Sequence, residues 1–408
     1  MNAPKLRLQG FTGEWESRQI GEISTFAKGS GYSKSDLCMT GVPIILYGRM
    51  YTKYSFEMDN IDTFAIHKDG AVYSKGTEVV IPASGETAED IAVAASIKQE
   101  GVILGGDLNI LTFEDSFLPS FMALCISHGK THFELSRYAQ GKSVVHLRNN
   151  DIAKAQITTP CIYEQQKIVD YFKNLESLID ATAKKIESLK QVKAACLQSM
   201  FPQPGEGKPR LRFKEYDDNW DVLPLSTFAR KSTEKNTALE YNITLTNSAE
   251  YGVINQLDFF DHDILNDNHI DRYYVIHNDD FVYNPRVSTF APVGPINRNT
   301  LGYSGVMSPL YLIFKVDDIN KDFLAYFFKT TLWHQYMKLE GNTGARFDRL
   351  ALSDSQFFNM PIYVPKQVKE QEDIASFFSN LDKQISLYEH RLEKLTNIKS
   401  ACLDGMFI

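Results

Sequence analysis

Residues 164–201 read EQQKIVDYFKNLESLIDATAKKIESLKQVKAACLQSMF, and residues 370–407 read EQEDIASFFSNLDKQISLYEHRLEKLTNIKSACLDGMF. The two stretches align without a gap and share 15 of 38 positions. A self-similar block of this length means that one structural unit is used twice. In the first copy Ile168, Phe172, Leu175, Ile179, Thr182, Ile186, Leu189, Lys193, Cys196 and Met200 are separated by alternating steps of four and three. In the second, Ile374, Phe378, Leu381, Ile385, Tyr388, Leu392, Leu395, Lys399, Cys402 and Met406 form the same ladder. That spacing is a heptad seam, and over more than four heptads it predicts coiled coil. No Gly or Pro interrupts either copy before Gly405. Each block then forms a rod of about 57 Å. Two matched rods most simply bury their seams against each other; the alternative is that each packs on its own globular domain. Lys193 and Lys399 in the seam favour a specified register, at some cost in stability.

A second repeat frames the first. Pro4-Lys5-Leu6-Arg7-Leu8 returns as Pro209-Arg210-Leu211-Arg212-Phe213, Phe11 as Tyr216, Trp15 as Trp220 and Pro160 as Pro365. Each unit is thus an entry strap with a Trp, a body, a proline and a long helix. Residues 202–209, with three prolines and two glycines, read as a linker. The bodies share only faint marks, such as Phe117-Leu118 with Phe121 against Phe323-Leu324 with Phe327. Val42–Tyr47, Glu78–Ile81, Tyr273–Ile276 and Tyr311–Phe314 predict short strands; Leu118–Ser127 and Phe323–Met337 predict helices. Frames repeat while interiors diverge, as expected if the frame sets a geometry and each body recognises something different.

The length of 408 residues, with 43% hydrophobic residues, allows two or three domains with proper cores. No stretch approaches the roughly 18 uncharged residues of a membrane span, and residues 1–5 show no apolar signal region, so the expectation is a soluble, cytoplasmic protein. Five cysteines without CxxC or Cys/His clustering argue against a disulfide framework and a zinc site. Cys196 and Cys402, on seam positions, read as small buried hydrophobes.

A net charge of −8 excludes a uniformly basic coat but not local basic surfaces. In body one Lys28, Lys34, Arg49 and Lys53 are interleaved with Tyr32, Tyr47, Tyr51 and Tyr54, and Lys142, His146 and Arg148 follow. In body two Arg230, Lys231 and Lys235 precede Asn236, and Arg286, Arg298, Arg346 and Arg349 come later. Phosphates call for Lys or Arg, base edges for Arg, Asn, Gln, Ser or Thr, and tyrosine stacks or bonds to either. For any single residue the plainer reading is a solvated mixed surface.

Catalytic signatures are missing. Asn284-Pro285-Arg286-Val287 begins like an amino-methyltransferase motif but lacks its second proline and aromatic residue. Gly129-Lys130-Thr131 and Gly141-Lys142-Ser143 mimic the end of a P-loop, yet the glycine needed five residues earlier is Leu124 or Ser136. Glu206-Gly207-Lys208 lies in the linker with no close upstream Asp for a metal nuclease. The chain reads as a recogniser with no chemistry of its own.

The duplicated helices opening on Glu164-Gln165-x-x-Ile168 and Glu370-Gln371-x-x-Ile374, each after a Trp-framed variable body, resemble the specificity subunit of Type I restriction-modification systems. Gly141 and Gly344 ahead of each helix fit the pattern; one extra residue between Pro365 and Glu370 departs from it. The resemblance implies an α+β chain with two mixed α/β target-recognition domains in tandem. Two long helices would separate them, forming an antiparallel coiled coil with internal pseudo-twofold symmetry. The expected boundaries are 1–159 and 210–364 for the recognition domains, 160–201 and 365–408 for the helical regions, and 202–209 for the linker.

By the same resemblance, each domain reads one half of an asymmetric bipartite target in double-stranded DNA, and the helix pair fixes the spacer. Half-sites read from one face of the duplex lie about 34–36 Å apart. Two modification subunits would dock along the helices, bringing S-adenosylmethionine and methylating adenine N6. Restriction subunits using ATP and Mg would translocate and cleave DNA. This chain would itself bind no cofactor. The alternatives are a free-standing duplicated DNA-binding regulator, a coiled-coil adaptor without a methylase partner, or an enzyme in its own right.

Overall fold

The computed structural model describes residues 3–259, 267–342 and 348–407. Two compact units divide the chain: Met1–Ala183 with His390–Ile408, and Lys184–Glu389. Both division points fall inside the two long helices, Ile162–Ser199 and Val368–Met406. Each unit therefore contains part of both.

In the first unit an antiparallel-rich sheet runs in the order Ser24–Lys28, Leu108–Phe113, Glu78–Pro82, Ala95–Ile97 and Glu57–Met58. The run Leu108–Phe113 sits between two neighbours, and its nearly continuous apolar sequence matches burial on both faces. A second sheet orders Leu37–Cys38, Phe64–Ala65, Val42–Ile45, Glu100–Leu104 and Tyr73–Lys75. Helix Pro119–Ser127 starts with Pro at its first turn, where the missing N–H costs nothing. It packs on the first sheet.

In the second unit the main sheet has four strands, Ala229–Lys231, Leu312–Val316, Phe281–Tyr283 and Ile296–Arg298. One helix was expected over 323–337, but two form, Lys321–Phe327 and His334–Glu340. Side chains bond backbone carbonyls at the break: the Thr330 hydroxyl donates to the Phe327 carbonyl at 2.7 Å and the Trp333 indole to that of Phe328 at 3.2 Å. Those bonds compete with a continuing helical ladder.

The repeat is structural as well as sequential. Glu16–Gln19 pairs antiparallel with Gln156–Thr159, and Asp221–Pro224 pairs with Pro361–Val364 in the same register. In the first unit Arg7 forks onto Glu164, Nε to Oε1 and Nη2 to Oε2, both 2.7 Å. Arg212 and Glu370 repeat this in the second at 2.7 and 2.8 Å. The adjacent glutamines join helix to body: Gln165 Oε1 accepts from Leu118 N, and Gln371 Oε1 from Asn320 N, both at 2.9 Å.

The helices run antiparallel within each unit. In the first, Tyr171 faces Cys402, Glu176 bonds Lys399 at 2.6 Å, and Phe172 meets Phe407. In the second, Lys193 pairs with Asp382 and Lys190 with Glu389. Both seam lysines are thus neutralised by carboxylates at repeat-equivalent positions. Seam residues also enter the globular cores, since Ile168 and Phe172 cluster with Trp15, Phe121, Met406 and Phe407. Leu189, Met200 and Phe201 cluster with Trp220, Phe323, Ile374, Phe378, Leu381 and Ile385. The two expectations for the rods, mutual packing and packing on a body, are combined. Ile186 is buried, whereas Ile179, Leu392 and Leu395 are half-buried. Residues 202–209 form no helix or strand, but Pro202 and Pro209 are buried and Gly207 O accepts from Trp220 N at 2.8 Å.

Candidate nucleic-acid interface

In the first unit Lys34, Arg49 and Lys53 come together on a cleft of about 760 Å³, with Tyr32, Tyr47, Asp62 and Asp107 also in its wall. Arg49 and Lys53 both pair with Asp62, and those two cations hold its carboxyl well below the usual range. Lys34 is exposed and has no carboxylate partner among the described residues. Tyr32 does not fit a contact role, because it is 5% exposed and its hydroxyl is taken by Ile66 O and Lys68 N.

Tyr51 and Tyr54 lie apart from these cations, on a cleft that also carries Glu86, Glu89 and Asp90. Their hydroxyls donate to the carbonyls of Ser84 at 3.0 Å and Ala94 at 3.1 Å. Burial pushes the Tyr54 phenol up to about 12. Pinned phenols beside three carboxylates make this wall unfavourable for phosphate. Elsewhere in the unit Lys28 donates to Asn109 Oδ1 at 2.6 Å, and burial lowers its ammonium, with Arg148 repelling it further. Lys142, His146 and Arg148 are exposed, and His146 Nδ1 lies 3.1 Å from Ser84 Oγ.

The second unit sorts its cations more sharply. Arg230 pairs with Asp317, Lys231 with Asp354, and Arg298 with Asp279 and Asp322. Asn236 is 2% exposed and staples its own loop through Tyr241 N and O. Lys235 is exposed without an ion pair among the described residues. Arg346 and Gly344 lie outside the described residues. Arg286 and Arg349 are antiparallel bridge partners and line one cleft of about 390 Å³.

Sequence reasoning missed Gln256 and Tyr273, which line the same cleft. Nothing local distinguishes them; the pairings of the neighbouring strands bring them in. It also missed Asp62 as the partner of Arg49, and the Arg–Glu forks, although both members of each fork were visible as repeats. Among the described residues, no group of three His, Cys, Asp or Glu is placed to hold a metal, and no helix is long and apolar enough to cross a membrane. The clefts bring together ammonium, guanidinium and amide groups, the chemistry that suits phosphate and base edges.

The sequence model of the family described as Type I restriction modification DNA specificity domain matches twice, over residues 12–191 and 217–397. The fold is similar to the crystal structure of a Type I restriction-modification S subunit from M. genitalium, with TM-score 0.57, 12% identity, and 100% of this chain and 99% of that one covered. It is similar also to the HsdS subunit from Thermoanaerobacter tengcongensis, with TM-score 0.51, 14% identity and 96% of each chain covered. A chain solved for complex assembly and conformational transition of the type I R-M system gives 0.53 and 14%, covering 95% of this chain and 96% of that one.

Proposed function

Because this chain belongs to the Type I restriction-modification DNA specificity family, we propose a division of labour for its parts. It is a non-catalytic DNA-recognition subunit with two tandem target-recognition domains. Each domain reads one half of an asymmetric, split target in double-stranded DNA, and the antiparallel helices fix the spacer between halves. Lys34, Arg49, Lys53, Lys142 and Arg148 in body one, with Lys235, Arg286 and Arg349 in body two, meet the duplex. Two modification subunits dock along the helices, supplying S-adenosylmethionine for adenine N6 methylation. Restriction subunits, with ATP and Mg, complete the assembly.

One observation carries this reading. Arg7–Glu164 and Arg212–Glu370 repeat the same fork, and Glu176–Lys399 and Lys193–Asp382 the same seam pair, while the clefts of the two bodies are built from unrelated residues. A repeated mount carrying unlike readers suits a target with two unlike halves.

The test inserts four residues, about one helical turn, into both helices near Thr182 and Tyr388, then maps methylated adenines. The expected result is a changed spacer with both half-site sequences intact. Altered half-site sequences would overturn the assignment of spacing to the helices.

A further inference from the structure

The second unit builds one cleft whose walls are fixed and whose ligand-facing groups are left free. Thr246 Oγ1 and the Tyr311 hydroxyl bond each other at 3.0 Å. Asn247 is fully engaged, its amide donating to Val282 O and Pro295 O and its Oδ1 accepting from Asn297. Asn284 Oδ1 accepts from Arg286 N at 3.0 Å while its amide donates to Asn247 O at 3.2 Å. Among the described residues, the Arg286 and Arg349 guanidiniums and the Gln256 amide have no partner, although all three line the cleft.

The arginines are not on a floppy loop. Their segments are tied by Val287 N to Asp348 O and Leu350 N to Pro285 O, both 2.9 Å, which makes the two residues antiparallel neighbours. Like charges directly across a bridge destabilise the fold. Arg230, Lys231 and Arg298 in the same unit are all relieved by carboxylates, and this pair has none among the described residues. A ligand presenting acceptors would relieve such a repulsion.

We propose that Arg286 and Arg349 are the specificity-determining side chains of body two, each taking the acceptor edge of a guanine in its half-site. The inference rests on the DNA-recognition reading above. Guanine O6 and N7 match a guanidinium bidentately, and discrimination requires the donor to be held in place by rigid surroundings. The bridge and the bonded walls supply that rigidity. A backbone phosphate would need neither a cleft nor a free amide beside it.

The experiment selects randomised duplexes with the full chain and compares Arg286→Ala, Arg349→Ala and Arg298→Ala with the wild type. Each of the first two variants is expected to lose about 10- to 100-fold preference for G·C at one position of one half-site. The other half-site should be unaltered, and melting temperature unchanged, since neither guanidinium holds the fold. Arg298→Ala, which breaks two ion pairs, should lower melting and leave the motif intact. Uniform weakening across all sequences, with a shallower salt dependence and the same motif, would identify phosphate clamps and overturn the proposal. Unchanged binding would overturn it too. A wild type that selects no split motif would remove the underlying reading as well, and is recognisable because it appears before any substitution.

Discussion

Arg212 grips Glu370 through two parallel bonds of 2.7 and 2.8 Å, and the carboxylate is almost wholly buried. The pair ties the strap before body two to the first turn of the second long helix. Trp220 Nε1 adds a third donor at 3.3 Å, whereas the repeat-equivalent Trp15 Nε1 is buried with no partner among the described residues. Arg212→Ala would strand a buried charge and should cost about 3–5 kcal/mol in denaturant titration. Replacing both members by Met and Leu should recover most of that loss, because no unpaired charge remains.

The seam pairs predict a charge-swap result. Lys193→Glu should place like charges against Asp382 and cost about 1–2 kcal/mol. Adding Asp382→Lys should restore stability. Recovery in a double-mutant cycle, measured by thermal melting at low salt, checks the pairing. The same cycle applies to Lys399 and Glu176.

The last aromatic residue of each helical block completes a core. Phe407 packs against Phe121, Phe172 and His128 in the first unit, and Phe201 against Trp220, Phe323, Phe327 and Phe378 in the second. Phe407→Ala and Phe201→Ala should each cost about 3–5 kcal/mol. Hydrogen exchange should show the loss in the unit where each ring is buried.

His128 gives a pH signature. Burial, with His132 and Lys399 nearby, lowers its pKa to about 4 from the usual 6.5. The folded state therefore binds fewer protons than the unfolded state between those values. Stability should be full above about pH 6.5 and fall progressively as pH drops toward 4, by up to about 3 kcal/mol. His128→Gln should flatten the melting temperature profile over that window.

The heptad ladder was legible because its period is local: Ile168 to Met200 and Ile374 to Met406 need only their own spacing to be read. The strap repeat was visible too, but not its purpose, since the Arg7–Glu164 and Arg212–Glu370 forks join residues 157 and 158 positions apart. Residue type alone does not sort contact candidates, for a related reason. Tyr32 and Asn236 look like contact residues until the fold buries them. Arg49 and Lys53 look free until Asp62 arrives from the next loop. Whether a cation faces solvent, a carboxylate or a cleft depends on strand pairing, which residue type does not encode. Splitting of the helix expected over 323–337 likewise depended on bonds from Thr330 and Trp333 that propensity does not register.

Phe407 has a consequence for how this molecule is made. The unit that opens with the first strap needs residues 390–407 to fill its interior, so those residues must leave the ribosome before that unit can close. Until then Phe121 and Phe172 lack their capping ring. The globule begun first closes only after the second body has been made, and a nascent chain arrested before Phe407 would present that open apolar face to chaperones.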